Sequence, residues 1–264
     1  MKPLCQIQQV MFMSILLFLQ TACSTLAAVP TTTSASVPPG VTEIPLSQRV
    51  MLTFISFKEE GHAPVYTISA QTPMFAEIKD ERAQTFNNAV SELVQHEISY
   101  FRKNVLAQMP ANPVTSGSSF DAKYVVIFQG GGIWSLKFDF SGYADGAAHP
   151  YHYSLTLNFD LEQGKKLSMD ELFPADSDYL AALSRYCIAE LSKRDIGFYG
   201  GFQQGAEPTP ENYRNWNITS NGILITFDEY QVAPYVVGPQ TVTVPYGELT
   251  TLINPKGPLA MFPH

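Results

Sequence analysis

The chain has 264 residues, 45% of them hydrophobic, 12% aromatic and 15% charged, and 24 acids against 16 bases give a formal charge of −8. This composition excludes a disordered chain, a coiled coil and a basic nucleic-acid-binding domain, and the negative charge repels phosphate backbones and anionic lipid surfaces. Three cysteines exclude a disulfide framework.

Lys2 precedes an apolar run from Val10 to Leu19. The run is shorter than the roughly 20 residues of a membrane span and suits the apolar core of a signal peptide. The following Leu19-Gln20-Thr21-Ala22-Cys23-Ser24 resembles a bacterial lipobox, with Gln20 where that pattern usually has Leu. The resemblance implies removal of residues 1–22 and acylation of Cys23, which would anchor the protein to a membrane through its N-terminal lipid. Ordinary secretion, with cleavage near Ala27 or Ala28, is the alternative; either route exports the chain. Residues 23–45, centred on the uncharged Pro-, Ser- and Thr-rich stretch Val29 to Val41, read as a flexible tether.

Arg49 to Phe57 and Val65 to Ala70 are rich in β-branched and aromatic residues and read as strands, with Thr72-Pro73 breaking the second. From Ile78 to Met109 the spacing of Phe86, Val90, Leu93, Val94, Phe101 and Val105 predicts one amphipathic helix ended by Pro110. Glu97 falls inside that stripe. Either its stem packs while its head reaches an edge, or it is a buried carboxylate with a partner not apparent in the sequence. Residues 112–119 read as a loop between a smaller N-terminal α/β subdomain, 46–113, and a C-terminal domain, 120–264.

Lys123 to Gln129 and Trp134 to Tyr143 are the next strands. Because a strand, not a helix, follows Gly130-Gly131-Gly132, those glycines read as a hairpin turn and not a phosphate loop. Tyr151 to Leu161 alternates as a strand, and Ser168 to Phe173 reads as a short helix. Asp176 to Lys193 reads as a second amphipathic helix whose apolar face includes Cys187, which favours a buried structural thiol over a nucleophile. Phe198 to Trp216 is irregular and carries exposed-looking aromatics: Phe198, Tyr199, Phe202, Tyr213 and Trp216. A hairpin about Asn221-Gly222, a strand from Thr241 to Val244 and a short helix from Pro245 to Ile253 complete the chain. The expected fold class is α+β: mainly antiparallel sheets with two amphipathic helices, in two closely associated subdomains.

No nucleophile elbow, phosphate loop or His-Glu-x-x-His helix occurs, so no catalytic residue and no cofactor is assigned. His149 and His152 have a spacing that metal ligands can have. However, a strand opening at Tyr151 would point them to opposite faces, and no carboxylate or cysteine stands at a matching spacing, so no metal is assigned. The Tyr143–Tyr151 connection has two readings. Asp145 and His149 either satisfy backbone groups there, or the loop presents His149 between Tyr143 and Tyr151 for recognition. With the aromatics Tyr199 and Trp216, the candidate ligand-binding residues are therefore Tyr143, Asp145, His149, Tyr151, Tyr199 and Trp216.

The run Gly146-Ala147-Ala148-His149-Pro150, Asn158-Phe159-Asp160-Leu161, Gly164-Lys165, Leu172-Phe173 and Phe227-Asp228-Glu229-Tyr230-Gln231-Val232-Ala233-Pro234-Tyr235 resembles the C-terminal domain of the RsiV family of lysozyme-sensing anti-sigma factors. It is also similar to the non-catalytic region of PdaC-type peptidoglycan deacetylases, and Tyr66-Thr67-Ile68 with Pro73 and the following helix is similar to the smaller companion domain of those proteins. The resemblance implies an envelope module that binds cell-wall glycan or a wall-cleaving protein such as lysozyme, without a reaction of its own. The His-x-x-x-His pair expected of the deacetylase domain does not occur in the sequence. An envelope polysaccharide hydrolase, or a deacetylase-associated enzyme, whose active site the sequence does not reveal is the alternative.

Overall fold

A computed structural model describes residues 44–76, 78–109, 117–196 and 202–263. The leader, Cys23, nearly all of the tether, most of the 112–119 loop, and Phe198 and Tyr199 lie outside the described residues.

Strands β1 (Leu52–His62), β2 (Val65–Phe75), β3 (Ser118–Gly130), β4 (Ile133–Tyr143), β5 (Tyr151–Asp160) and β6 (Lys165–Lys166) form one sheet in that order. Every neighbouring pair is antiparallel except β2 and β3, which run parallel over 66–70 and 118–122 and are joined through helix α1 (Glu81–Asn104). The sheet thus passes without a break from the segment read as the smaller subdomain into the segment read as the C-terminal domain. A second antiparallel sheet holds β7 (Trp216–Ile218), β8 (Gly222–Phe227) and β9 (Gln240–Pro245), with α2 (Tyr179–Leu191) against it.

Two hydrophobic cores correspond to this division. Phe86, Val90, Val94, Ile98 and Phe101 of α1 meet Ile68, Phe120, Phe138, Phe140 and Phe159 of the large sheet. Leu183, Cys187 and Leu191 of α2 meet Ile223, Ile225, Val242 and Val244 of the small one. The α+β class with two helices and mainly antiparallel sheets is present as expected, but the first core extends through Leu161, so the two cores do not follow the boundary read at 112–119.

Local chemistry accounts for most element ends. The Asp80 carboxylate accepts the Arg82 N–H at 3.0 Å and caps α1. Gly131 and Gly132, at φ +56° and +87°, make the tight β3–β4 turn, a conformation other residues adopt at a cost. Ser168 and Glu171 form a reciprocal capping box around a single 3-10 turn, Met169–Leu172.

Two expectations are corrected here. Thr72-Pro73 does not end its strand: β2 continues to Phe75, with Pro73 opposite Phe54. β3 pairs with β2 only as far as Ala70, so Pro73 has a single neighbouring strand and its missing N–H is tolerated as at a sheet edge. The expected helix after Pro245 is one 3-10 turn, Tyr246–Leu249.

The two sheets meet across a polar seam. Ser135 donates to Asn158 Oδ1 (2.6 Å), Asn158 Nδ2 donates to the Trp216 carbonyl (2.8 Å), and Asn217 Nδ2 donates to Ser135 Oγ (2.8 Å) and the Leu136 carbonyl (2.9 Å). These buried bonds favour one geometry, because a shifted register would break several of them; the Asn217 Oδ1 of the same seam is buried without a partner.

Candidate functional site

The face of β3–β5 opposite α1 carries polar rows set by the strand register. Asp121, Ser141 and His152 lie side by side, and Lys123, Asp139 and Ser154 form the next row. A groove of about 390 Å³ opens over these rows, closed on one side by Asp228, Glu229 and Pro239.

Asp228 and Glu229 cover the outer edge of β5. The backbone N–H of Ser154 donates to Asp228 (2.9 Å) and that of His152 to Glu229 (3.2 Å). The carboxylates therefore occupy the position of a missing strand, and β5 offers no bare edge there. Asp228 also accepts from Asn215 (2.9 Å) and Arg214 (3.4 Å); burial pushes its carboxyl upward, while the Ser154 N–H and Arg214 oppose that shift. Glu229 holds the His152 ring at Nδ1 (2.9 Å), and Asp139 accepts the Ser154 hydroxyl (3.0 Å) and faces Lys137 (2.9 Å). Each of these carboxylates is held by protein groups, an arrangement suited to orienting a polar ligand.

An aromatic cluster adjoins the groove through His152, which lines it. The His149 ring lies 4.1 Å from that of Tyr235, and His152 and Tyr230 stand 6.5 and 5.8 Å from the same ring. Tyr235 donates its hydroxyl to the Pro150 carbonyl (3.0 Å), and His149 Nδ1 lies 2.8 Å from that oxygen. Tyr230 and Val236 are 53% and 89% exposed, so the cluster presents ring faces and apolar surface to solvent. The two histidines were expected on opposite faces of a strand. They converge because His149 lies before β5 begins, where the chain is bent at Ala148 and His149.

The candidate residues read from the sequence therefore separate. His149 lies in the cluster, exposed. Tyr143 is half-buried and closes its own turn, donating to the Ala147 carbonyl (3.2 Å), and the Asp145 N–H donates to Ser118 Oγ (3.0 Å). Tyr151 points to the other face of the sheet, its ring lying over Gly142, where an added Cβ would sit 2.1 Å from the ring. Trp216 is only 6% exposed and Tyr213 only 1%; both belong to the core and not to an exposed loop. Carbonyls of residues 205–212 are satisfied by protein groups around them: Ala206 O accepts from Ser184 of α2 (2.6 Å) and Tyr213 (2.7 Å), and Gln231 Nε2 donates to the Gly205 and Asn212 carbonyls (both 2.9 Å). Tyr199 lies outside the described residues.

Sequence reasoning did not identify Tyr235, Tyr230, His152, Asp228 or Glu229 as site residues. Four of them stand in the Phe227–Tyr235 run that carried the resemblance, which was the available signal. Among the described residues no three His, Cys, Asp or Glu gather as a metal site, and no helix is long and apolar enough to cross a membrane.

Residues 170–247 match a family described as a protein of unknown function, DUF3298. Over 163 residues the chain is 26% identical to the peptidoglycan-N-acetylmuramic acid deacetylase PdaC of Bacillus subtilis (strain 168), covering 61% of this chain and 34% of that protein. Over 108 residues it is 28% identical to the immunogenic protein MPT64 of Mycobacterium tuberculosis, covering 41% of this chain and 47% of that one. The chain thus spans about a third of the first relative and about half of the second. Crystal structures of DUF3298 family proteins from Pseudomonas aeruginosa PAO1 and Bacteroides fragilis share its fold. Their TM-scores are 0.58 and 0.57, each at 15% identity, covering 81% and 78% of this chain and 97% and 94% of theirs. The resemblance to the non-catalytic region of PdaC-type proteins is borne out.

Proposed function

We propose that this chain is an exported, non-catalytic binding module of the cell envelope, tethered through a lipid on Cys23, and that its groove takes cell-wall glycan. The observation that carries this reading is the carboxylate-lined groove with the His149–Tyr235–Tyr230 cluster next to it, the two joined through His152. Sugars offer C–H faces to aromatic rings and hydroxyls to oriented carboxylates, so rings beside polar rows suit them. Relatedness to a peptidoglycan deacetylase over a third of its length supports the envelope setting.

A second reading, a basic wall-cleaving protein such as lysozyme as partner, is favoured by the formal charge of −8, which would speed association with a cationic surface. Co-sedimentation with purified peptidoglycan and calorimetry with lysozyme, each with the Tyr235→Ala variant alongside, separate the two. Saturable sedimentation lost in the variant supports the glycan reading, and lysozyme binding without sedimentation supports the second. Release of acetate or reducing ends from the glycan would replace both with an enzyme. For the anchor, Cys23→Ala should abolish lipid attachment; an unlipidated natural N-terminus at Val29 in mass spectrometry would refute it.

A further inference from the structure

A separate recess of about 420 Å³ lies on the α1 side of β5, lined by His96, Glu97, Tyr100, Tyr151 and Tyr153. Glu97 projects from the apolar stripe of α1 with its side chain only 12% exposed. Tyr153 donates its hydroxyl to Glu97 Oε2 at 2.5 Å, and His96 Nδ1 lies 2.9 Å from Oε1. The sequence left the partner of this carboxylate unidentified; it is Tyr153, contributed by β5.

The recess combines aromatic faces with negative charge. The Tyr151 and Tyr153 rings are within 12° of parallel at 6.2 Å, Tyr153 is backed by Phe140 at 5.0 Å, and Tyr100 stands at the mouth, 54% exposed. Among the described residues lining it there is no lysine or arginine. Partial burial raises the half-buried Tyr151 and Tyr153 phenols, and the nearby Glu97 raises them further, so the site disfavours added negative charge. Anions are repelled by Glu97, and a neutral apolar group gains contact area alone. A cation gains both the ring quadrupoles and the carboxylate.

We propose that this recess is a binding site for an organic ammonium group. The chemistry can come from a quaternary headgroup of the choline kind or from the primary ammonium of a de-N-acetylated amino sugar. The site is distinct from the glycan groove, on the other face of the sheet, so its failure leaves that reading standing.

The test is two-dimensional NMR of the full chain, titrated with two matched pairs. The first is choline against its uncharged isostere 3,3-dimethylbutan-1-ol, and the second is glucosamine against N-acetylglucosamine. At least one charged member should shift the amide signals of 96–100 and 151–153 saturably, with a dissociation constant about tenfold or more below that of its neutral partner. The pair that shows the preference identifies the source. Glu97→Gln keeps an acceptor for Tyr153 and should remove the preference. Tyr100→Ala, at an exposed position, should weaken the charged ligand about threefold, as expected for one surface cation–π contact. If neither charged member surpasses its neutral partner, or if the preference survives Glu97→Gln, the assignment is wrong.

Discussion

Asp228 accepts the backbone N–H of Ser154 across 2.9 Å, from a segment 74 residues further along the chain. A side chain thus completes a hydrogen-bond ladder that backbone would ordinarily complete. Asp228→Ala leaves that buried N–H and the Asn215 amide short of an acceptor and should cost about 1–3 kcal/mol in denaturant unfolding. Asp228→Asn, which retains an acceptor, should cost less. Equal losses would mean that charge, not the bond to β5, is what counts there.

His149 and Tyr235 should act together in ligand capture. Either alanine variant should weaken glycan binding about tenfold, as for a central contact worth about 1.4 kcal/mol, with the melting temperature nearly unchanged. Tyr151→Ala should leave glycan affinity unaltered, since Tyr151 points to the opposite face. A lower melting temperature with full affinity in His149→Ala would return that loop to a purely structural role.

Asp80 links stability to pH. The hydrogen-bonded Arg82 guanidinium beside it lowers its carboxyl from the usual 3.8 to about 2. Because the folded value is the lower one, the stabilisation is complete above the ordinary value and is lost as pH falls from there toward 2. Asp80→Asn, still a capping residue, should flatten this limb of the stability–pH curve, and Asp80→Ala should cost about 1 kcal/mol at neutral pH as well. An unchanged acid limb in Asp80→Asn would place the titration elsewhere.

Cys187 is fully buried on α2, and burial pushes its thiol up to about 12. Native protein should therefore resist a bulky thiol reagent at this position, while Cys187→Ser should lose about 1–3 kcal/mol through a poorly satisfied hydroxyl. Rapid stoichiometric labelling of Cys187 in the folded state would contradict the packing described.

The features read correctly from sequence are those fixed by near neighbours. The α1 stripe, the Gly131-Gly132 turn and the inward place of Cys187 each depend on residues within a turn or two of one another. Pro73 was misread because its tolerance depends on where β3 stops pairing. The burial of Tyr213 and Trp216 depends on the Ala206 carbonyl and the Asn158 seam, which composition cannot announce. The site was legible only in part for the same reason: His149 was visible as a candidate, but the ring it meets comes from beyond β8, and His152 meets Glu229 across 77 positions.

The single parallel pairing of β2 with β3 governs how the chain reaches this fold. The hairpin β1–β2 and the meander β3–β5 can each form locally, yet only five register positions, Tyr66–Ala70 against Ser118–Ala122, join them. Closing that junction requires the long intervening segment, α1 included, to be gathered in, an entropic cost met before the phenylalanines of the first core come into contact. Until then the β2 and β3 edges are both open to strands of other molecules. Refolding should accordingly be fast for the local hairpins and slow for their union, with a yield that falls as protein concentration rises.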